Sequence, residues 1–360
     1  MRGRESSVGV MTTLDRPSPA TRTVPARRLH RPLLTTTAAM AALAVFSLCA
    51  MAFDDRMLLG ESVWLKPLKF AIAMVLYCGT LAWLVGFPHR GQRLTWWMGS
   101  VFAATAVVDV GFVVVQAARG TFSHFNTQHD AVNTIGQWVF MTGVPGLFLA
   151  NLVIAVTLSW QRVTDRPTSM AIRAGLGIAV LGMALGYTMG FSGQQQTTDA
   201  YGHPVTLGAG HTFVDGQPPV RDGVAGMPVT HWSTAGGDMR IAHFAGLHGI
   251  QLLIVAAVVL ARLAPQVSWL RAEATRTRVI GVLALGYTGL VALLLWQALR
   301  GQAVTRPDGE TLTALGLVAA VTALGIGLVY ALAARGQGPD RHAALTATVR
   351  PHGSVPPMSR

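Results

Sequence analysis

Eight separate apolar runs, each about long enough to cross a bilayer, constrain this chain more than any other feature. They fall at roughly 33–53, 67–87, 95–117, 134–159, 170–191, 241–262, 279–299 and 311–334. A helix needs about 20 such residues to cross the hydrocarbon core. None of the runs has the two-residue alternation of a membrane barrel strand. Composition agrees: 51% of residues are hydrophobic and 12% are charged, where a soluble domain carries about 25% charged residues. The expected fold is all-α, a polytopic membrane bundle of eight helices.

Arginine sets the expected orientation. Arg2, Arg4, Arg16, Arg22, Arg27, Arg28 and Arg31 precede the first run, and Arg90 and Arg93 follow the second. Arg162 and Arg166 follow the fourth, four more flank the link after the sixth, and Arg335 to Arg360 close the chain. These segments alternate, so the positive-inside rule predicts both termini in the cytoplasm. The net charge of +12 then describes loops beside anionic lipid. A nucleic-acid partner is not expected, because no basic stripe is interleaved with aromatics. Residues 1–32 read as a disordered basic tail, 33–335 as the transmembrane domain and 336–360 as a second disordered tail. Arg27-Arg28 before an apolar run also matches a twin-arginine signal, but that run is long enough to span. Cys49 and Cys78 both fall inside predicted helices, which argues against structural disulfides and thiol-ligated metal.

The loop at 192–240 is predicted to be extracytoplasmic, and a loop of that length is either functional or disordered. Gly208, Gly210, Gly236 and Gly237 read there as flexible turns. His124, His129, His203, His211 and His231 fall in the outer loops, with His243 and His248 in the outer half of the sixth run. HFNTQH (124–129) and HFAGLH (243–248) share the form H-F-x-x-x-H. Neutral imidazole ligates metals and haem iron, so His124, His129, His243 and His248 are candidate ligands. The alternatives are interfacial histidines and proton transfer. In a regular helix His243 and His248 differ by about 140° in direction and about 7.5 Å in height. One small ion could hold both only if the helix unwinds at Gly246.

Helical periodicity places Arg240, His243, His248 and Gln251 on one arc of the sixth helix, and Thr105, Asp109, Gln116 and Arg119 on one stripe of the third. Asp109 lies about 15 Å along its helix from Arg119, and an ionisable group at that depth needs a partner or a wet cavity. The two stripes are expected to face each other. Asp109 is then a candidate acid, and Gln116, Arg119, Asn126, Asp238, Arg240 and Gln251 are candidate substrate contacts.

WLKPLKF (64–70) holds the only two lysines, Lys66 and Lys69. At the start of a helix they oppose its dipole, which costs a few tenths to about one kcal/mol each. Asp54, Asp55 and Glu61 could compensate internally, and a substrate carboxylate or phosphate could do so externally. A third option is covalent or acid–base chemistry at a lysine of adjustable pKa.

WLKPLKF, QAARGTFSHFN (116–126) and GGDMRIAHFAGLHGIQ (236–251) resemble strings in a group of bacterial multipass membrane proteins of no assigned activity. The resemblance covers the second and third helices and the start of the sixth. It implies that the three strings form one unit and places the chain in a bacterial cytoplasmic (inner) membrane. It transfers no function.

The reading taken from the sequence is a membrane oxidoreductase or related enzyme that uses haem or a transition metal at an outward-facing site. A metal-free enzyme acting on a lipid or isoprenoid is the second reading, with Lys66, Lys69, Arg119 and Arg240 holding an anion. The third is a small-solute or proton-coupled transporter with Asp109 as relay. The expected partners are the lipid bilayer and a small-molecule or lipid substrate.

Overall fold

A computed structural model describes residues 29–214 and 226–336. Eight helices in it are long and apolar enough to cross a membrane. They are α1 (Arg31–Phe53), α2 (Leu65–Val85), α3 (Gln92–Ala118), α4 (Ala131–Ser159), α5 (Arg166–Gly186), α6 (Met239–Leu263), α7 (Glu273–Leu299) and α8 (Gly309–Gly336). All eight expected spans are present, in the architecture of a multipass membrane protein. Both expected tails, up to residue 28 and from 337, lie outside the described residues, as does the 215–225 part of the long loop. The first helix begins earlier than expected, at Arg31. His30 accepts a hydrogen bond from the Leu33 N–H, and Pro32 occupies a first-turn position that it tolerates.

Helices α1, α4, α5 and α6 start ahead of their apolar runs behind polar caps. Asp130, Asp165 and Asp238 accept from the N–H groups of Asn133, Thr168 and Arg240 respectively, each satisfying a donor that the helix leaves open. Beyond α5 the chain tightens into a 3-10 turn at Tyr187–Phe191.

The segments 54–64, 119–130, 192–214, 226–238 and 300–308 share the same end of the bundle, here called the loop-rich end. Short antiparallel pairs order it without changing the all-α class of the fold: β1 (Met57–Leu58) with β2 (Glu61–Ser62), β3 (Gln195–Thr198) with β4 (Pro204–Leu207), and β5 (Thr212–Phe213) with β6 (Gly237–Asp238). Asn126 bridges to Leu207, and Arg56 Nη1 donates to Ala118 O and to Tyr201 Oη. Gly236 and Gly237 are not flexible turns, because a Cβ on Gly237 would stand 1.9 Å from Ala298 O. Glycine is there to let two backbones approach.

Close approach also defines the centre of the bundle, where α5 packs along α6. A Cβ on Gly182 would meet Leu247 N at 2.3 Å, and one on Gly175 would meet Ile250 Cα at 2.6 Å. Small residues at such a seam gain dispersion contacts where lipid supplies no hydrophobic drive. Helix α7 packs on both α5 and α6, and α8 packs at the edge on α7.

The two polar stripes do not meet. Helix α3 packs against α1, α2 and α4, whereas α6 packs against α5, α7 and the margin of α2. Asp109 faces α4, where Gly143 makes room for its carboxylate: a Cβ there would stand 2.1 Å from Oδ1. Periodicity indicates which face of a helix is polar but not which neighbour that face meets.

Candidate functional site

A cavity of about 560 Å³ opens at the loop-rich end and is walled by α2 to α6 and the segments that connect them. Its outer part carries Lys66, Lys69, His124, His211, Arg240 and His243. Its inner part is aromatic and methionine-rich, with Met74, Tyr77, Phe102, Phe140, Phe148 and Met183. A polar, cationic mouth therefore leads into an apolar interior.

Three observations show how the mouth is built. Lys69 Nζ donates to Glu61 Oε2 at 2.9 Å and to Thr230 O at 3.3 Å, so the β1–β2 hairpin and the long segment close over the start of α2. The internal ion pair is thus the answer for Lys69. Arg240 donates from Nη2 to His231 O at 2.8 Å and pairs with Asp238 at 2.6 Å. Asp238 has a fully buried side chain, accepts also from the Ser233 N–H, and so fixes the cap of α6. Finally, β5–β6 pairing and the bond from Met239 N–H to His211 O bring His211 to the mouth.

The imidazoles have distinct surroundings. His243 Nδ1 lies 2.7 Å from Gly182 O. A carbonyl only accepts, so Nδ1 carries the proton and Nε2 keeps a free lone pair. The close α5–α6 seam is what brings that carbonyl within reach. His124 has ring neighbours Phe140 at 4.1 Å and Phe70 at 5.7 Å, and Ser123 Oγ lies 2.9 Å from its Nδ1. Burial first, then Lys66 and His211, hold its pKa well below the ordinary 6.5, which keeps the ring neutral near pH 7. His248 stacks on Phe244 at 6.4 Å, and its buried Nδ1 has no protein partner.

Of the residues singled out in the sequence, Lys66, Lys69, His124, Arg240, His243 and His248 line this cavity. Asp109, Gln116, Arg119, Asn126, His129, Asp238 and Gln251 do not. Gln116, Arg119 and Asn126 belong to a structural network that ties α3 to α4. Arg119 pairs with Asp130 at 3.0 Å and donates to Gln116 Oε1, and Asn126 O accepts from Asn133 Nδ2. Gln251 donates to Thr80 Oγ1, binding α6 to α2. Asp109 is buried, and neither carboxylate oxygen has a hydrogen-bond partner. The candidate ligands His124, His129, His243 and His248 do not share one set of surroundings. His129 is exposed, α6 stays helical through Gly246, and among the described residues no three His, Cys, Asp or Glu side chains could hold an ion together.

His211 and His231 are cavity residues that sequence reasoning did not assign to the site. His211 gives no local signal, since it stands in a glycine-rich stretch and reaches the mouth only through strand pairing. Comparison with protein-family models, with curated proteins and with solved structures finds no match to this chain.

Proposed function

We propose that this protein is a membrane enzyme that binds an amphipathic molecule with an anionic head, of the lipid or isoprenoid type, and performs acid–base chemistry on that head. The observation that carries this reading is the polarity gradient of one cavity, with lysine, arginine and imidazole at its mouth and phenylalanine, tyrosine and methionine behind. The apolar body of such a ligand gains about 25 cal/mol for each Å² buried. The head meets Lys66, whose strongly hydrated point charge suits a phosphate or carboxylate. His243, with its proton held on Nδ1, presents Nε2 as acceptor and can take a proton from a hydroxyl or water at the head. His124, kept neutral, is a second acceptor. Asp109 has no part in this chemistry. Lipid extracted from protein purified in mild detergent should contain one class of acidic amphiphile, enriched over the surrounding membrane. Its absence from a Lys66→Met preparation supports the reading, and an identical lipid profile in the two overturns it.

The redox reading keeps one specific support. An imidazole whose Nδ1–H is held by a backbone carbonyl is oriented as metal- and haem-ligating histidines are. That support rests on His243, and an absorption spectrum of the purified protein tests it, since bound haem is coloured.

The loop-rich end is assigned to the outside of a bacterial cytoplasmic membrane, with both termini inside. Arg56, Arg119, Arg240 and Arg300 at that end each pair with an aspartate. Most of the other described arginines, such as Arg90, Arg93, Arg271 and Arg278, lie toward the opposite end, which the positive-inside rule then places in the cytoplasm. In a cysteine-free background, His203→Cys should react with an impermeant maleimide in intact cells and Gln266→Cys should not. The reverse pattern inverts the topology.

A further inference from the structure

Between α4 and the end of α5, part of the cavity lining reaches the outside of the bundle. Met141 and Tyr187 both line the cavity, yet they are 66% and 45% exposed on the outside of the bundle. Gly190, also in the lining, is exposed beside them. The backbone is irregular on both sides of this place. Pro145 has no N–H to bond the carbonyl of Met141 one turn earlier, and α5 gives way to the 3-10 turn at Tyr187–Phe191. The edge-to-face contact of Phe148 with Tyr187, centroids 6.1 Å apart, crosses the gap.

The level of the gap points to what passes through it. Trp138, Tyr187 and Phe191 are exposed aromatics near the loop-rich ends of α4 and α5, where an aromatic belt marks the head-group level. Met141 lies about 4.5 Å deeper than Trp138, three residues along the helix at 1.5 Å each. The gap therefore opens just below the head groups. Over the mouth, by contrast, Lys69 binds Glu61 and Thr230, and Arg240 binds His231, so the water-facing side is bridged by polar contacts.

Building on the amphiphile reading, we propose that the ligand loads sideways from the loop-rich leaflet, its chain passing between Met141 and Tyr187 while its head slides in toward Lys66. The substrate class is thus a resident membrane lipid with an acidic head, not a solute collected from water.

Two probes separate this inference from the reading on which it rests. One is a long-chain alkyl phosphate delivered in phosphatidylcholine vesicles to protein reconstituted in the same lipid. The other is hexyl phosphate added in water. Gly190→Trp and Met141→Trp should slow loading of the long-chain probe by about tenfold or more, within the range over which association rates move among related complexes. Hexyl phosphate binding should stay within about twofold of wild type. Leu149→Trp, on α4 and exposed but not lining the cavity, should change neither. Loading of the long-chain probe at the wild-type rate in both gap variants overturns the sideways route alone. So does equal loss of both probes in variants that keep the wild-type melting temperature. Failure of both probes to bind wild-type protein overturns the amphiphile reading and this inference with it.

Discussion

Arg240→Met is expected to be the most damaging single substitution at the mouth, costing roughly 3–5 kcal/mol, the usual penalty when one partner of a buried ion pair is removed. The Asp238 side chain is fully buried and that of Arg240 is only 16% exposed, so the carboxylate would keep two backbone N–H donors and lose its directly bonded cation. His231 O would lose its partner as well, loosening the segment over the cavity. Arg119→Met is the matched control. Its pair with Asp130 is about one-third exposed on both sides, and such pairs are worth about 0–1 kcal/mol. Thermal unfolding in one detergent should separate the two variants widely. Equal melting temperatures would mean that Asp238 does not depend on Arg240.

Gly182→Ala is expected to destabilise by about 1–3 kcal/mol, the range for inserting a group into a filled interior. The new Cβ would meet Leu247 N at 2.3 Å and Gly246 C at 2.5 Å. Both are backbone atoms of α6, so relief requires the helices to separate. Separation would also draw Gly182 O away from His243 Nδ1, so ligand binding should weaken alongside stability. Gly177→Ala, on the same helix with nothing within 4 Å of the added carbon, should be neutral or slightly stabilising, since alanine is the better helix former. A Gly182→Ala protein as stable as wild type would show that the seam is looser than drawn.

These two sites illustrate what the sequence could and could not reveal. The eight spans were legible because a bilayer demands about 20 apolar residues at a stretch, and polar caps account for the few residues by which α1, α4, α5 and α6 outrun their apolar runs. The chemistry of the mouth was partly legible. Lys66, Lys69, His124, Arg240, His243 and His248 stand out as polar groups at or near the outer ends of the apolar runs, and the cavity gathers all six. The partners were not legible. Periodicity put Asp109, Gln116 and Arg119 on one face of α3, but α4 and not α6 lies against that face. The hairpins were hidden because pairs of two to four residues are too short to show alternation. With them went His211, carried to the mouth beside β5, whereas Glu61 was legible as a partner for the lysines and pairs with Lys69. Glycine misled most: Gly237 reads as a turn in the sequence and proves to be a packing contact with Ala298.

The central claim, that the cavity holds an acidic amphiphile by its head and its chain, is tested most directly by varying the head alone. Wild-type protein and Lys66→Met would be titrated with three ligands of one chain length: an alkyl phosphate, the alkyl alcohol and the alkyl trimethylammonium. In wild-type protein the phosphate should bind about tenfold or more tighter than the alcohol, with the cation weakest, because Lys66 and Arg240 both face the mouth and like charges there cost several kcal/mol. Lys66→Met should lose most of the phosphate's advantage while binding the alcohol as before. Equal affinity for all three heads in wild-type protein, or a preference for the cation, would contradict the claim.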